Sequence, residues 1–264
     1  MSSIALKFLS VPAVAKHTAT IIFVHGLGDT GYGWEPVADD ASSDSALQHI
    51  KWILPHAPIK PVTANMGMAM PSWFDIKAFG AGFSHGEDEK GMLETVGLLQ
   101  GLIDAEVAAG IDPSRIILGG FSQGAAMTLL TGLTTPTKLG GLVVLSGWLP
   151  LKEKIKSMIS PHATSLPIFW GHGEADPLVK FEWGTLSRDF LSTEVGIALA
   201  SSKADAKGLN FNGYRGLVHS ASPEEINDVK AWLKKVIPAA YICFTFAVLF
   251  WNLMEVCGHE ERCR

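Results

Sequence analysis

The sequence predicts one α/β domain over residues 1–238, a mainly parallel sheet with helices on both faces. Three observations predict it. Short β-branched runs alternate with longer helical patterns along the chain, as in strand–helix–strand units. The 264 residues are 47% hydrophobic and only 18% charged, which supplies a large core and too little charge for a disordered chain. No repeat, low-complexity tract or linker-like stretch divides the first 238 residues.

Taken in order, Thr20–Val24, Ile50–Leu54, Arg115–Leu118, Leu142–Leu145 and Ile168–Trp170 read as buried strands bounded by Gly or Pro, with Leu209–Phe211 as a weaker sixth. Between them, Asp88–Ala109 places Met92, Val96, Leu99 and Ile103 on one helical face and stops at Gly110. Gly91, Gly97 and Gly101 lower its intrinsic helicity, so packing must hold it. The run AAMTLLTGL after Gly124 reads as another helix. The last is the clearest. Ser222 caps it, Pro223 fits the first position, and Glu225 completes Ser-x-x-Glu. Ile226, Val229, Trp232, Leu233 and Val236 then form its inward stripe.

Composition excludes several functions. Lys+Arg 21 against Asp+Glu 26 gives a net charge of −5, leaving no basic excess for nucleic acid. The three cysteines, Cys243, Cys257 and Cys263, all fall near the end, so the body has neither a disulfide scaffold nor a cysteine-based zinc site. No metal-ligand spacing such as His-Glu-x-x-His appears, and a metal mechanism has no support. The N-terminus has no long apolar run after a basic start, unlike a secretory signal. A cytoplasmic location, with the nucleus as a second compartment, is expected.

In parallel sheets, reactive side chains collect beyond the carboxyl ends of the strands. Gly120-Phe121-Ser122-Gln123-Gly124 lies at such a point, between a strand and a helix. Gly-x-Ser-x-Gly alone is a weak signal; its position makes it specific. A serine on a sharp strand-to-helix turn needs small flanking residues, and its hydroxyl then stands near the positive end of the helix. The bland reading is an ordinary Gly-rich turn. A serine hydroxyl also needs a base and a group to orient that base. Asp176 and His219 follow later strands in the order this topology requires. Glu174 is the rival acid. Among the other histidines, His172 reads as a structural hydrogen-bonding residue, His56 as a satisfied turn residue, and His259 lies in the tail.

A tetrahedral intermediate requires backbone donors. His25-Gly26-Leu27-Gly28-Asp29 follows a strand, so the N–H groups of Leu27 and Gln123 are the candidate oxyanion donors. Met66, Met68, Met70, Trp73 and Phe74 form a methionine- and aromatic-rich stretch without strand or helix period. They read as a wall for an alkyl chain, with Trp148 lining the same region. The alternative is a loop simply packed on the core.

The segments HGLGDTGYGW, LPHAP, MAMPSWFD, GGFSQGAAM, LSGWLP, GHGEADPLV and GLVHSASPEE occur in this order. Together they resemble the acyl-protein thioesterase group of the lysophospholipase/carboxylesterase family. The resemblance runs from about Ala19 to Pro238. It implies an α/β-hydrolase fold without a large cap domain and no cofactor. It also implies removal of palmitoyl groups from protein cysteines, G-protein α subunits among the substrates, with lysophospholipid or simple ester hydrolysis as a weaker activity. Carried over, Ser122 is the nucleophile, Asp176 the orienting acid, His219 the base, and Leu27 and Gln123 the oxyanion donors. Two departures stand out: Ala125 replaces a usual Gly, and Glu194–Gly208 aligns poorly.

Two rival functions are a general carboxylesterase or lysophospholipase, and a non-catalytic binding protein of the same fold. The second requires a broken triad, whereas all three members are present. The family pattern ends soon after Pro238, so the stretch 239–264 has no counterpart. Ala239–Met254 carries no charge, but as a helix it would span about 24 Å, short of the ~30 Å hydrocarbon core. It reads either as an atypical, loosely packed terminus or as a short anchor with Lys234 and Lys235 on the cytosolic side. Without the anchor, membrane contact is transient. Fractionation of the tagged full chain against a version ending at Pro238 separates the readings: equal solubility removes the anchor.

Overall fold

A computed structural model of the chain describes residues 6–78, 86–203 and 205–239. The strands are β1 (Phe8–Val11), β2 (Ala19–Val24), β3 (Ile50–Pro55), β4 (Ile59–Val62), β5 (Met68–Pro71), β6 (Ile116–Phe121), β7 (Gly141–Leu145), β8 (Ile168–Gly173) and β9 (Leu209–Tyr214). The helices are α1 (Glu35–Ser43), α2 (Glu89–Ala108), α3 (Gln123–Thr134), α4 (Lys152–Ile155), α5 (Phe181–Thr193) and α6 (Pro223–Val236). Seven strands form one sheet in the order β1-β3-β2-β6-β7-β8-β9. All neighbours are parallel except β1, which lies antiparallel to β3. Helices cover both faces, and no large cap domain is present among the described residues.

Alternation along the strands builds two cores. Ile22 and Val24 of β2 face a cluster containing Met92, Leu99 and Ile103 of α2 and Met127, Leu129 and Leu130 of α3. Ile21 and Phe23 face the opposite cluster, with Ala38 of α1 and Val229, Trp232 and Leu233 of α6. Each buried Ile or Leu contributes about 1.5–3 kcal/mol, which is how α2 holds despite its three glycines. α2 begins at the Asp88 side chain, which accepts from the Gly91 N–H at 3.1 Å, and ends just before Gly110 at φ +94°.

All six expected strands are present, most extended by a residue or more. Leu209–Tyr214 pairs with β8 along its whole length. Six elements, β1, β4, β5, α1, α4 and α5, escape the sequence reading. β1 and α1 have no strong pattern, α5 follows the loop of Asp176, and β4 and β5 form a separate two-stranded hairpin. This last is a correction, because the methionine-rich stretch was read as lacking strand period. The hairpin stands off the main sheet with every residue but Val62 exposed or half-buried, so no inward–outward alternation marks it. Its turn uses Met66 and Gly67, both at positive φ.

α6 starts as expected on Ser222, whose Oγ accepts the Glu225 N–H at 3.1 Å. The reciprocal half of the capping box is not made. Glu225 turns inward and is fully buried, and neither carboxylate oxygen has a hydrogen-bond partner among the described residues. A Cβ on Gly171 of β8 would lie 2.2 Å from Glu225 Oε1, so the carboxyl packs directly on the strand. At its far end the helix is fastened to the amino edge of the sheet. Arg115 donates to the Pro238 carbonyl at 2.9 Å and His49 Nε2 to that of Ile237 at 3.0 Å. The expected tail lies, from residue 240 on, outside the described residues, as do His259 and the three cysteines. Among the described residues no helix is long and apolar enough to cross a membrane.

Burial raises the Glu225 carboxyl from its ordinary 4.5 to about 8, the Ser222 contact opposing it. The folded chain thus holds a proton that the unfolded chain releases. The stability gained is complete below about pH 4.5 and lost as pH rises through about 8. Thermal unfolding of Glu225→Gln should match the parent at pH 5 and exceed it by on the order of 5 °C at pH 9. Parallel pH profiles for the two proteins would contradict this account.

Candidate active site

β6 ends at Phe121 and α3 begins at Gln123, leaving Ser122 alone to make the turn. Its backbone has φ 54° and ψ −117°, a strained combination for a residue with a Cβ, costing about 1–3 kcal/mol. The flanking glycines make room for it. A Cβ on Gly120 would lie 2.5 Å from the Gly124 carbonyl, and one on Gly124 would lie 2.0 Å from the Val24 carbonyl oxygen. Strand, turn and helix therefore close on one another without side chains between them. The Ser122 N–H donates to Leu145 O at 2.9 Å, which ties the turn to β7.

His219, in the loop between β9 and α6, places Nε2 2.9 Å from Ser122 Oγ and Nδ1 2.6 Å from Asp176 Oδ2. The aspartate can only accept, so Nδ1 carries the proton and Nε2 accepts from the serine hydroxyl. Asp176 is held in turn by the N–H groups of Leu178 and Val179, each 2.9 Å from Oδ1. Burial pushes this carboxyl up, but the His219 hydrogen bond and charge and the two N–H donors outweigh it, and the group sits below its ordinary value. It is ionised wherever the histidine is needed. The rival acid Glu174 is exposed. The Phe121 ring lies 4.8 Å from the imidazole, centroid to centroid, and fixes its tilt.

The His25–Asp29 loop lies against this turn: a Cβ on Gly26 would lie 3.4 Å from Ser122 Cβ. His25 is fully buried and fixes the loop. Its Nδ1 donates to Gly26 O at 2.7 Å, and its Nε2 accepts the Ala57 N–H at 3.1 Å. Burial lowers the affinity of its ring for a second proton. Leu27 and Ser122 line one cavity, and Gln123 opens α3. The two proposed N–H donors thus come from segments that meet beside the hydroxyl.

That cavity holds about 380 Å³, within the range of small-molecule sites. Phe74 and Trp148 line it, packed edge to face at 6.2 Å. The other wall candidates do not. Met66 and Met68 are exposed on the hairpin, Met70 lies beside the His25–Asp29 loop with its sulfur 4.0 Å from a Cβ on Gly28, and Trp73 is wholly buried. Apolar surface comes instead from Leu27, Ile76, Met92, Leu178, Val179 and Trp183. Leu178 and Val179 lie in the loop after Asp176 and Trp183 in the first turn of α5; apolar residues in a rim loop were the available signal for the first two. Glu87 also lines the cavity, with one carboxylate oxygen accepting the Leu151 N–H at 2.9 Å; burial raises its pKa.

The two other candidate histidines among the described residues, His172 and His56, are engaged elsewhere. His172 Nε2 lies 2.8 Å from Val179 O, and burial depresses its protonation. His56 Nδ1 accepts the Gly31 N–H at 3.1 Å. Among the described residues no group of three or more His, Cys, Asp or Glu is placed to hold a metal ion.

Comparison with known proteins adds to this geometry. Residues 10–237 match the family model described as phospholipase/carboxylesterase. The chain is 49% identical over 236 residues to acyl-protein thioesterase 1 of Cryptococcus neoformans var. neoformans serotype D, covering 88% of this chain and 98% of that protein. It is 46% identical over 227 residues to acyl-protein thioesterase 1 of Yarrowia lipolytica, covering 86% and 96%. Among solved structures, Arabidopsis thaliana SOBER1 matches with a TM-score of 0.76 at 37% identity, covering 83% and 99%. Zea mays acyl-protein thioesterase 2 matches with 0.72 at 30% identity, covering 88% and 99%.

The geometry separates the two candidate acids. Asp176→Asn should lower turnover of a p-nitrophenyl ester by about 10³–10⁴ through loss of the correct imidazole tautomer, whereas Glu174→Gln should leave it within about twofold. A comparable loss in both variants would reject the assignment.

Proposed function

The chain belongs to the phospholipase/carboxylesterase family, and on that premise we propose that it is a serine hydrolase cleaving the thioester of S-palmitoylated protein cysteines. The observation that carries the reading is an apolar cavity opening directly on the Ser122 hydroxyl. A long acyl chain gains about 0.8 kcal/mol per buried methylene. Burying a dozen more methylenes therefore separates a palmitoyl from a butyryl group by far more than any change in the leaving group. The proteins of similar sequence named acyl-protein thioesterase support the same substrate class.

In the proposed reaction His219 Nε2 removes the proton from Ser122 Oγ as it attacks the thioester carbonyl carbon. The N–H groups of Leu27 and Gln123 receive the negative oxygen, and Asp176 stabilises the imidazolium. The carbon–sulfur bond breaks, and the departing cysteine sulfur takes the proton from Nε2. Water, deprotonated by the same nitrogen, then releases the fatty acid from Ser122. The same groups would hydrolyse lysophospholipids or soluble esters, so leaving-group preference alone divides that second reading from the first.

Brief incubation with a palmitoyl-cysteinyl peptide should add one palmitoyl mass to the proteolytic fragment containing Ser122. Ser122→Ala should lose this adduct, fluorophosphonate labelling and nearly all turnover. Label persisting in that variant would identify a different nucleophile, and a kcat/KM higher for lysophospholipid than for the palmitoyl thioester would favour the second reading.

A further inference from the structure

The mechanism uses only the backbone of Gln123, yet its side chain is fully buried and every polar atom of it is engaged. Oε1 accepts the Trp73 N–H at 2.9 Å, and Nε2 donates to Phe74 O at 2.7 Å and to Ser72 Oγ at 3.1 Å. Ser72 Oγ donates to the same Phe74 carbonyl at 2.6 Å. The segment is held from its other side as well. Trp73 Nε1 donates to His25 O at 2.8 Å, and Trp73 O accepts from Thr95 Oγ1 at 2.5 Å. One carboxamide therefore spans from the residue after the nucleophile to the backbone of Phe74, whose ring lines the cavity and packs on Trp148.

We infer that the Gln123 side chain is a positioning residue for the acyl wall and thereby sets the discrimination between long and short acyl chains. The inference rests on the reading of Ser122 as the residue that accepts the acyl group. A buried carboxamide offers two donors and an acceptor in a fixed plane, so it fixes the bend 72–74 against the start of α3. A short acyl group reaches the reacting carbon without using that wall. A long one lies along it, and loses binding when Phe74 and Trp148 are free to drift. The hydrogen bonds from Trp73 Nε1 to His25 O and from Thr95 Oγ1 to Trp73 O keep the segment folded when the carboxamide is removed, so the loss falls on the wall's placement rather than on the fold.

The test compares butyryl and palmitoyl thioesters of one cysteinyl peptide on the full chain, Gln123→Met and Ser72→Ala. Gln123→Met keeps the volume and removes all three hydrogen bonds; Ser72→Ala removes two, those with Gln123 Nε2 and Phe74 O, outside the reacting groups. Palmitoyl kcat/KM should fall about tenfold further than butyryl kcat/KM in Gln123→Met, mainly through KM, and about threefold further in Ser72→Ala. An equal fall for both chain lengths in the two variants overturns the inference. If Gln123→Met does not fold, the palmitoyl-to-butyryl ratio of Ser72→Ala decides, and an unchanged ratio overturns it. Fluorophosphonate labelling of Ser122 in the parent chain is measured alongside. Its absence would count against the nucleophile assignment, whereas an unchanged ratio with labelling intact counts against the role of Gln123 alone.

Discussion

The site depends on a single backbone conformation, that of Ser122 at φ 54° and ψ −117°. A residue with a side chain adopts such angles only when its surroundings leave no alternative. Here the alternative is removed by contact. Gly120 lies against the first turn of α3, and Gly124 lies against the end of β2. The helix therefore begins within van der Waals distance of the sheet. This closeness sets Ser122 at the N-terminus of α3 and brings its hydroxyl within 2.9 Å of an imidazole carried by a loop 97 residues away. Relaxing the turn by one ordinary side chain would move the hydroxyl away from both the start of α3 and the His219 imidazole.

What was legible in the sequence follows the same division. Gly-x-Ser-x-Gly was readable because its requirement is local and steric. The order of acid and base was readable because a parallel sheet delivers successive loops to one rim. β1 and the β4–β5 hairpin were not, since a strand of four residues is defined by its partner rather than by its own pattern. The cavity wall was misread for a related reason. Methionines and aromatics announce apolar surface but not which surface, and Met66 and Met68 are spent on an exposed hairpin while Trp73 is buried as a strut. The lining residues that were missed, Leu178 and Val179 among them, reach the cavity because Asp176 draws their N–H groups onto its oxygen. α3 has no inward stripe to find, being buried on all sides from Gln123 to Leu133.

Two buried carboxyls near the His219 loop show how far surroundings outweigh residue type. Asp176 and Glu225 are both removed from water, yet one is held below its ordinary value and the other well above it. Asp176 receives two backbone donors and the His219 Nδ1–H, which together exceed its burial penalty; Glu225 only packs against strand backbone, receives no donor on its oxygens and is neutralised instead. The Ser-x-x-Glu pattern made Glu225 look like a helix cap. The strand beneath α6 has a glycine at the point of contact, and that space takes the carboxyl inward.

α6 links the reactive rim to the opposite pole of the molecule. It starts four residues after His219 and, over 14 residues or about 21 Å, reaches the amino edge of the sheet, where Arg115 and His49 clasp the carbonyls of Pro238 and Ile237. Anything joined to the chain beyond that clasp is tethered from behind. A protein held by that pole turns its mouth outward, toward molecules approaching from the surroundings, with its back to whatever holds it.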